Sequence, residues 1–141
     1  MKKIIITVDE WRYVLWEWVE IHWKKTREKI ADFVNEYVKL NGYDVVMKNK
    51  ELIELFEEND IKPESVFYLN SDYCYNKTNK GMIDNFKNDV HMFECVKRGY
   101  YRLLGENYKY NGEIVHKGKG DKEPRIIGRW ENGIIVEWNP R

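Results

Sequence analysis

The chain is poor in the residues that would commit it to an extracellular, membrane or metal-bound life. It has two cysteines and three prolines in 141 residues. Two thiols, Cys74 and Cys95, cannot build a disulfide framework, so a reduced, cytoplasmic setting is the simplest expectation. No apolar run approaches the ~20 residues of a membrane span. Met1-Lys2-Lys3 leads into only three isoleucines, which does not make a secretory leader. No membrane partner is expected. An excess of one charge is also missing. Twenty-four Lys and Arg balance twenty-four Asp and Glu, so no global field steers an anionic partner. There is no Walker loop, dinucleotide fingerprint or paired Cys-x-x-Cys, and no cofactor is expected. Cys74, His91, Cys95 and His116 are enough ligands in number for zinc, but their spacing matches none of the usual pairs. No metal site is expected.

Hydrophobic and aromatic content is ample, at 43% and 15% with six Trp and ten Tyr. That supports one folded domain over residues 1–141 rather than a disordered chain. Thr7 to Glu10 fits a capping box that opens a helix. Trp11, Val14, Leu15, Trp18 and His22 mark one face of that helix, and Trp16, Val19 and Trp23 mark a second. Ile30, Phe33, Val34, Tyr37 and Val38 continue helical spacing, and Asn41-Gly42 stops it. A short β-prone piece, Tyr43–Met47, comes next. Asn49 is the expected cap of a helix carrying Leu52, Ile53, Leu55 and Phe56, which ends at Asn59-Asp60. Pro63 suits the first turn of another short helix, to Leu69. Met92–Val96 and Tyr100–Leu104 are strand candidates joined near Arg98-Gly99. Asn111-Gly112 and Asn132-Gly133 both suit type I′ hairpin turns, the second joining Ile126–Trp130 to Ile134–Trp138. Helices followed by antiparallel strands give an α+β class, with a helical part over 1–50 and a winged-helix-like part over 51–141.

The functional signal lies between Pro63 and Tyr110. A short helix held by a preceding helix can enter a major groove, while a basic hairpin lies on the neighbouring backbone. Ser65, Tyr68, Asn70, Ser71 and Tyr73 would then face outward, with Asn suited to adenine and Ser and Tyr to phosphates. Asn76, Lys77, Asn79 and Lys80 extend this loop. Lys97, Arg98, Lys109, Lys117 and Lys119 would grip phosphates. Residues 97–129 carry nine basic and four acidic side chains, a local patch in a neutral chain.

The motifs PESV (Pro63–Val66), NSDYCYNKTNKG (Asn70–Gly81), FECVKRGYYRLLGENYKYNGEIVHKGKG (Phe93–Gly120) and IGRWENG (Ile127–Gly133) resemble a group of winged-helix-like domains attached to restriction endonucleases, HNH-type enzymes among them, in bacteria and phages. The resemblance spans about Ile53 to Trp138. It implies nucleic-acid recognition and no hydrolysis by this chain, which contains no HNH motif, and with the major-groove geometry the expected partner is double-stranded DNA. Two other readings stand beside it. Trp11, Trp16, Trp18 and Trp23 could form a protein-interaction or homodimer face. A metal-dependent nuclease is the third reading. Its weakness is that carboxylates such as Glu17, Glu28, Asp32 and Glu54 fall on outer helix faces rather than in a cluster, so a binding protein is favoured over an enzyme.

Overall fold

Ile30, Val34 and Val38 recur every four residues, which turns them onto one face of α1 (Thr26–Asn41), where all three are buried. The computed structural model describes residues 26–61, 72–79, 83–118, 120 and 122–140. The Trp-rich helix and the Pro63–Leu69 helix expected from the sequence lie outside those residues. Helix α1 stops at Gly42, whose φ of +80° suits a residue without Cβ. The Gly42 N–H donates to the Val38 carbonyl at 2.8 Å.

Strand β1 (Val46–Lys48) runs directly into α2 (Asn49–Glu58). Asn49 is therefore the first helical residue, not the cap. The Glu51 carboxylate instead accepts the Lys48 N–H at 3.1 Å. Leu52 and Phe56, one turn apart, are the buried side of α2. After the 3₁₀ turn Phe86–Asn88 come β3 (Phe93–Lys97) and β4 (Tyr100–Leu103), an antiparallel hairpin. Strand β1 pairs antiparallel with β4, so the first sheet has the order β1-β4-β3. Helices α1 and α2 cover it through Ile30, Val34, Leu52, Phe56, Met92, Phe93 and Leu103.

The second sheet holds β2 (Lys77–Thr78), β5 (Gly112–His116), β6 (Arg125–Glu131) and β7 (Ile134–Trp138) in the order β2-β5-β6-β7. Only the β2–β5 pair is parallel. The turn at Asn132-Gly133 has positive φ at both residues, as the sequence suggests. Asn111-Gly112 does not make a hairpin. Strand β4 and strand β5 belong to different sheets, and Gly112 already pairs with Trp130. The Asn111 side chain instead accepts the Asn132 N–H at 2.8 Å, bracing the other turn. The class is α+β, as expected.

A second core, with Tyr75, Phe86, Ile114, Ile127 and Trp130 at its centre, fills the space beside this sheet. His91 is 5% exposed within it. Its ring lies 4.2 Å from Phe86, 5.4 Å from Trp130 and 5.6 Å from Tyr75, centroid to centroid. Its two nitrogens face backbone carbonyls of Phe86 at 2.7 Å and Cys74 at 3.2 Å. Burial lowers its pKa from the usual value, outweighing the two carbonyls and nearby Asp89, which all favour the proton. The native ring is then neutral where an unfolded one, near 6.5, takes up a proton as pH falls. His91's contribution to stability is whole above about pH 6.5 and is lost as pH falls toward the lowered native value. Urea unfolding should show a smaller unfolding free energy at about pH 5.5 than at about pH 7.5. A larger one would mean that the ring holds its proton and donates to both carbonyls.

Candidate nucleic-acid interface

Lys48, Tyr100 and Lys97 stand in one row across the first sheet. Lys48 is the register partner of Tyr100 on one side, and Lys97 is its partner on the other. Two strand spacings place the lysine backbones about 10 Å apart. Their ammonium groups converge on the ring between them. Lys97 Nζ lies 4.2 Å from the Tyr100 centroid and Lys48 Nζ 5.9 Å, within cation–π reach. Arg98 follows at the hairpin turn, and Lys48, Lys97 and Arg98 are all exposed. Gly99 adopts φ +81° there. Its carbonyl accepts the Asn49 N–H at 2.9 Å, which ties the turn to the first residue of α2. Three cations thus sit on a tip whose backbone is fixed at both strands and at a helix start.

The tyrosine–asparagine loop does something else. Tyr73, expected to face outward, is 8% exposed, and Tyr75 beside it is 2% exposed, so both are buried. The loop is a strap that stitches the two sheets together. Met92 and Phe93 N–H groups donate to the Tyr73 carbonyl at 2.8 and 3.1 Å, and the Tyr75 N–H donates to the Phe93 carbonyl at 2.8 Å. The Asn76 side chain then grips Cys95 on both sides. Its Nδ2 donates to the Cys95 carbonyl, and its Oδ1 accepts the Cys95 N–H, each at 2.9 Å. One residue later the chain enters β2 and the second sheet. The Tyr75 hydroxyl donates to the Gly105 carbonyl at 2.6 Å, and its ring stacks on Tyr110 at 5.0 Å and 13°. Burial drives its pKa upward. A tyrosine buried with its hydroxyl satisfied is packing, not readout.

The remaining expected residues fall in several places. Ser65, Tyr68, Asn70, Ser71, Lys80 and Lys119 lie outside the described residues. Asn79 donates to Asp72 at 3.1 Å beside the strap. Lys77 and Lys117 are exposed and flank the β2–β5 pair. Strand alternation turns both away from the buried contact between Thr78 Oγ1 and His116 Nδ1 at 2.7 Å. Lys109 is exposed after the base of the β3–β4 hairpin, far from Lys97 and Arg98 at its tip. The tip itself gathers Lys97 and Arg98 with Lys48 and Tyr100, neither of which the sequence pattern singled out. Lys48 lies 49 positions from Lys97 in sequence, so only the β1–β4–β3 pairing shows that they are neighbours.

Both cysteines are unbridged and buried, and burial pushes the Cys74 thiol well above its usual pKa. Among the described residues, no group of three or more His, Cys, Asp and Glu gathers as a metal site would require. None of the described helices is long and apolar enough to cross a membrane.

The family model described as a domain of unknown function, DUF7225, matches residues 25–137. The chain is also similar to a Bacillus subtilis (strain 168) protein called uncharacterized protein YnaC, with 42% identity over 80 residues. That match covers 57% of this chain and 28% of the relative, so the chain spans under a third of that protein's length. No solved structure matches.

Proposed function

The chain belongs to the DUF7225 family, and from its geometry we propose that it binds double-stranded DNA, with the β3–β4 hairpin lying on the phosphate backbone. The observation that carries this reading is the row in which exposed Lys48 and Lys97 flank the half-buried Tyr100, with exposed Arg98 at the turn. The element order adds support. A helix, a short strand and a second helix precede the hairpin, and the first strand pairs with the hairpin's second strand, which supports a winged-helix reading in which β2 and the 3₁₀ turn are additions before the wing. In this reading Ser65, Tyr68, Asn70 and Ser71 keep the base-reading role. The resemblance to domains attached to restriction endonucleases supplies a setting, in which the domain directs DNA binding in restriction or phage–host conflict. The unbridged cysteines fit a cytoplasmic location.

Three phosphate contacts give a log–log salt slope of about −2.7, so affinity for a mixed-sequence duplex should fall about 40-fold between ~50 and ~200 mM salt. Fluorescence anisotropy with a labelled duplex measures this. Absence of binding at the lower salt would sink the proposal.

A protein-interaction module is the second reading. It is favoured by Ile126, Ile134 and Val136, which are 60%, 65% and 46% exposed on the β6–β7 ribbon, with β7 at the sheet edge. Trp11, Trp16, Trp18 and Trp23, the expected homodimer face, lie outside the described residues.

A further inference from the structure

We infer that a cleft at the base of the β3–β4 hairpin receives a single nucleotide unit, its base against the cleft wall and its phosphate on two lysines. The cleft measures about 440 Å³, within the range of small-molecule sites. It opens between the 3₁₀ turn, the loop after β4 and the β6–β7 turn. The site goes beyond the backbone-binding reading. The hairpin's strands are four to five residues long, which puts the cleft roughly 15 Å from the tip.

Its chemistry is divided between floor and rim. Tyr75, His91 and Trp130 form the floor, and their polar atoms are engaged inward. The Trp130 Nε1–H donates to the Tyr75 carbonyl at 2.8 Å, the Tyr75 hydroxyl to Gly105, and the His91 nitrogens face Phe86 and Cys74. The floor is therefore closed and satisfied, its rings at most 8% exposed, and the stacking surface is left to the wall. Tyr108 stands half-buried at the side, its ring 5.0 Å from Tyr43, and this contact fixes an aromatic wall on which a base can stack. At the rim are the amides of Asn88, Asn107 and Asn132, all exposed. Each carries two donors and an acceptor, the groups needed to read the edge of a base.

Charge selects a phosphorylated ligand. Four charged residues line the cleft: Lys87, Lys109, Asp89 and Glu106. The two carboxylates have partners of their own. Asp89 is neutralised by Arg27 at 2.9 Å, whereas Glu106 accepts only from the neutral Asn35 amide at 3.2 Å and keeps its charge, so the two lysines leave the cleft with one positive charge in excess. Lys87 and Lys109, both exposed, remain to meet an anion. An aromatic wall, neutral amides and two ammonium groups match a base carrying a phosphate better than a neutral nucleoside or an acidic peptide. The same chemistry is presented by a free mononucleotide and by an unpaired nucleotide within a strand.

The test titrates the full chain with each of the four deoxynucleoside 5′-monophosphates by calorimetry. A second arm uses a duplex with one unpaired 2-aminopurine, whose fluorescence changes when it leaves the duplex stack for the cleft wall. Saturable binding of at least one monophosphate is expected, weakened at least about tenfold by Asn107→Ala combined with Lys109→Glu. Lys97→Gln with Arg98→Gln should leave it unchanged, so failure of the tip reading and failure of this one are told apart. A 2-aminopurine signal lost in the cleft variant assigns the ligand to a strand. Monophosphate binding without that signal assigns it to the free nucleotide. The inference is overturned if neither probe binds saturably, or if the cleft variant binds as tightly as the unaltered chain.

Discussion

Replacing Asn76 with alanine is expected to lower the unfolding free energy by about 2–4 kcal/mol and the melting temperature by on the order of 10 °C. The physical basis is the two-sided grip on Cys95. Strand β3 is an edge of its sheet, so the Cys95 N–H and carbonyl have no strand partner on the Asn76 side. The carboxamide stands in for one, donating to the carbonyl and accepting from the N–H at 2.9 Å each. Alanine removes both of these bonds from a part-buried seam, at about 1–3 kcal/mol for each group left unsatisfied. Aspartate should be at least as damaging. It keeps the acceptor, loses the donor, and sets a carboxylate against a carbonyl. Urea and thermal unfolding measure the loss. A change under about 0.5 kcal/mol would mean that water replaces both bonds and that the strap is held by Tyr73 and Tyr75 alone.

The second large effect is on binding. Neutralising the tip with Lys48→Gln, Lys97→Gln and Arg98→Gln should weaken duplex affinity by a factor on the order of 10² to 10³ at ~50 mM salt. Each lost phosphate contact removes about one unit of salt slope, and the gap between the two proteins widens as salt is lowered. All three side chains are exposed. Stability should therefore change little, apart from the cation–π contacts to Tyr100, which at exposed sites contribute about 0.5–1 kcal/mol each. The loss should be alike across duplex sequences, because phosphate contacts position the protein and carry no sequence information.

Much of the fold was legible in the sequence because local rules and tertiary context agree. The spacing of Ile30, Val34 and Val38, the stop at Gly42, the buried Leu52 and Phe56 of α2, the Arg98-Gly99 hairpin and the Asn132-Gly133 turn all appear where periodicity and turn chemistry put them. Asn111-Gly112 misled because a dipeptide that favours a hairpin turn can equally begin a strand when the chain crosses to another sheet. The strap misled for a different reason. Tyrosine and asparagine suit a binding surface, and they equally suit a seam where rings are buried and each polar tip finds a backbone partner. Composition cannot separate the two cases. Only the parallel contact of Cys74 with Phe93 and the grip of Asn76 decide it. Lys48 and Tyr100 were missed because their nearness to Lys97 is a matter of register between three strands, which no local pattern encodes.

The tip is tested most directly by comparing two slopes. Duplex affinity is measured from ~50 to ~200 mM salt for the unaltered chain and for the tip-neutralised variant. A slope near −3 for the first, and one shallower by about two to three units for the second, is the predicted result. Two parallel lines would place the phosphate contacts elsewhere on the molecule and contradict it.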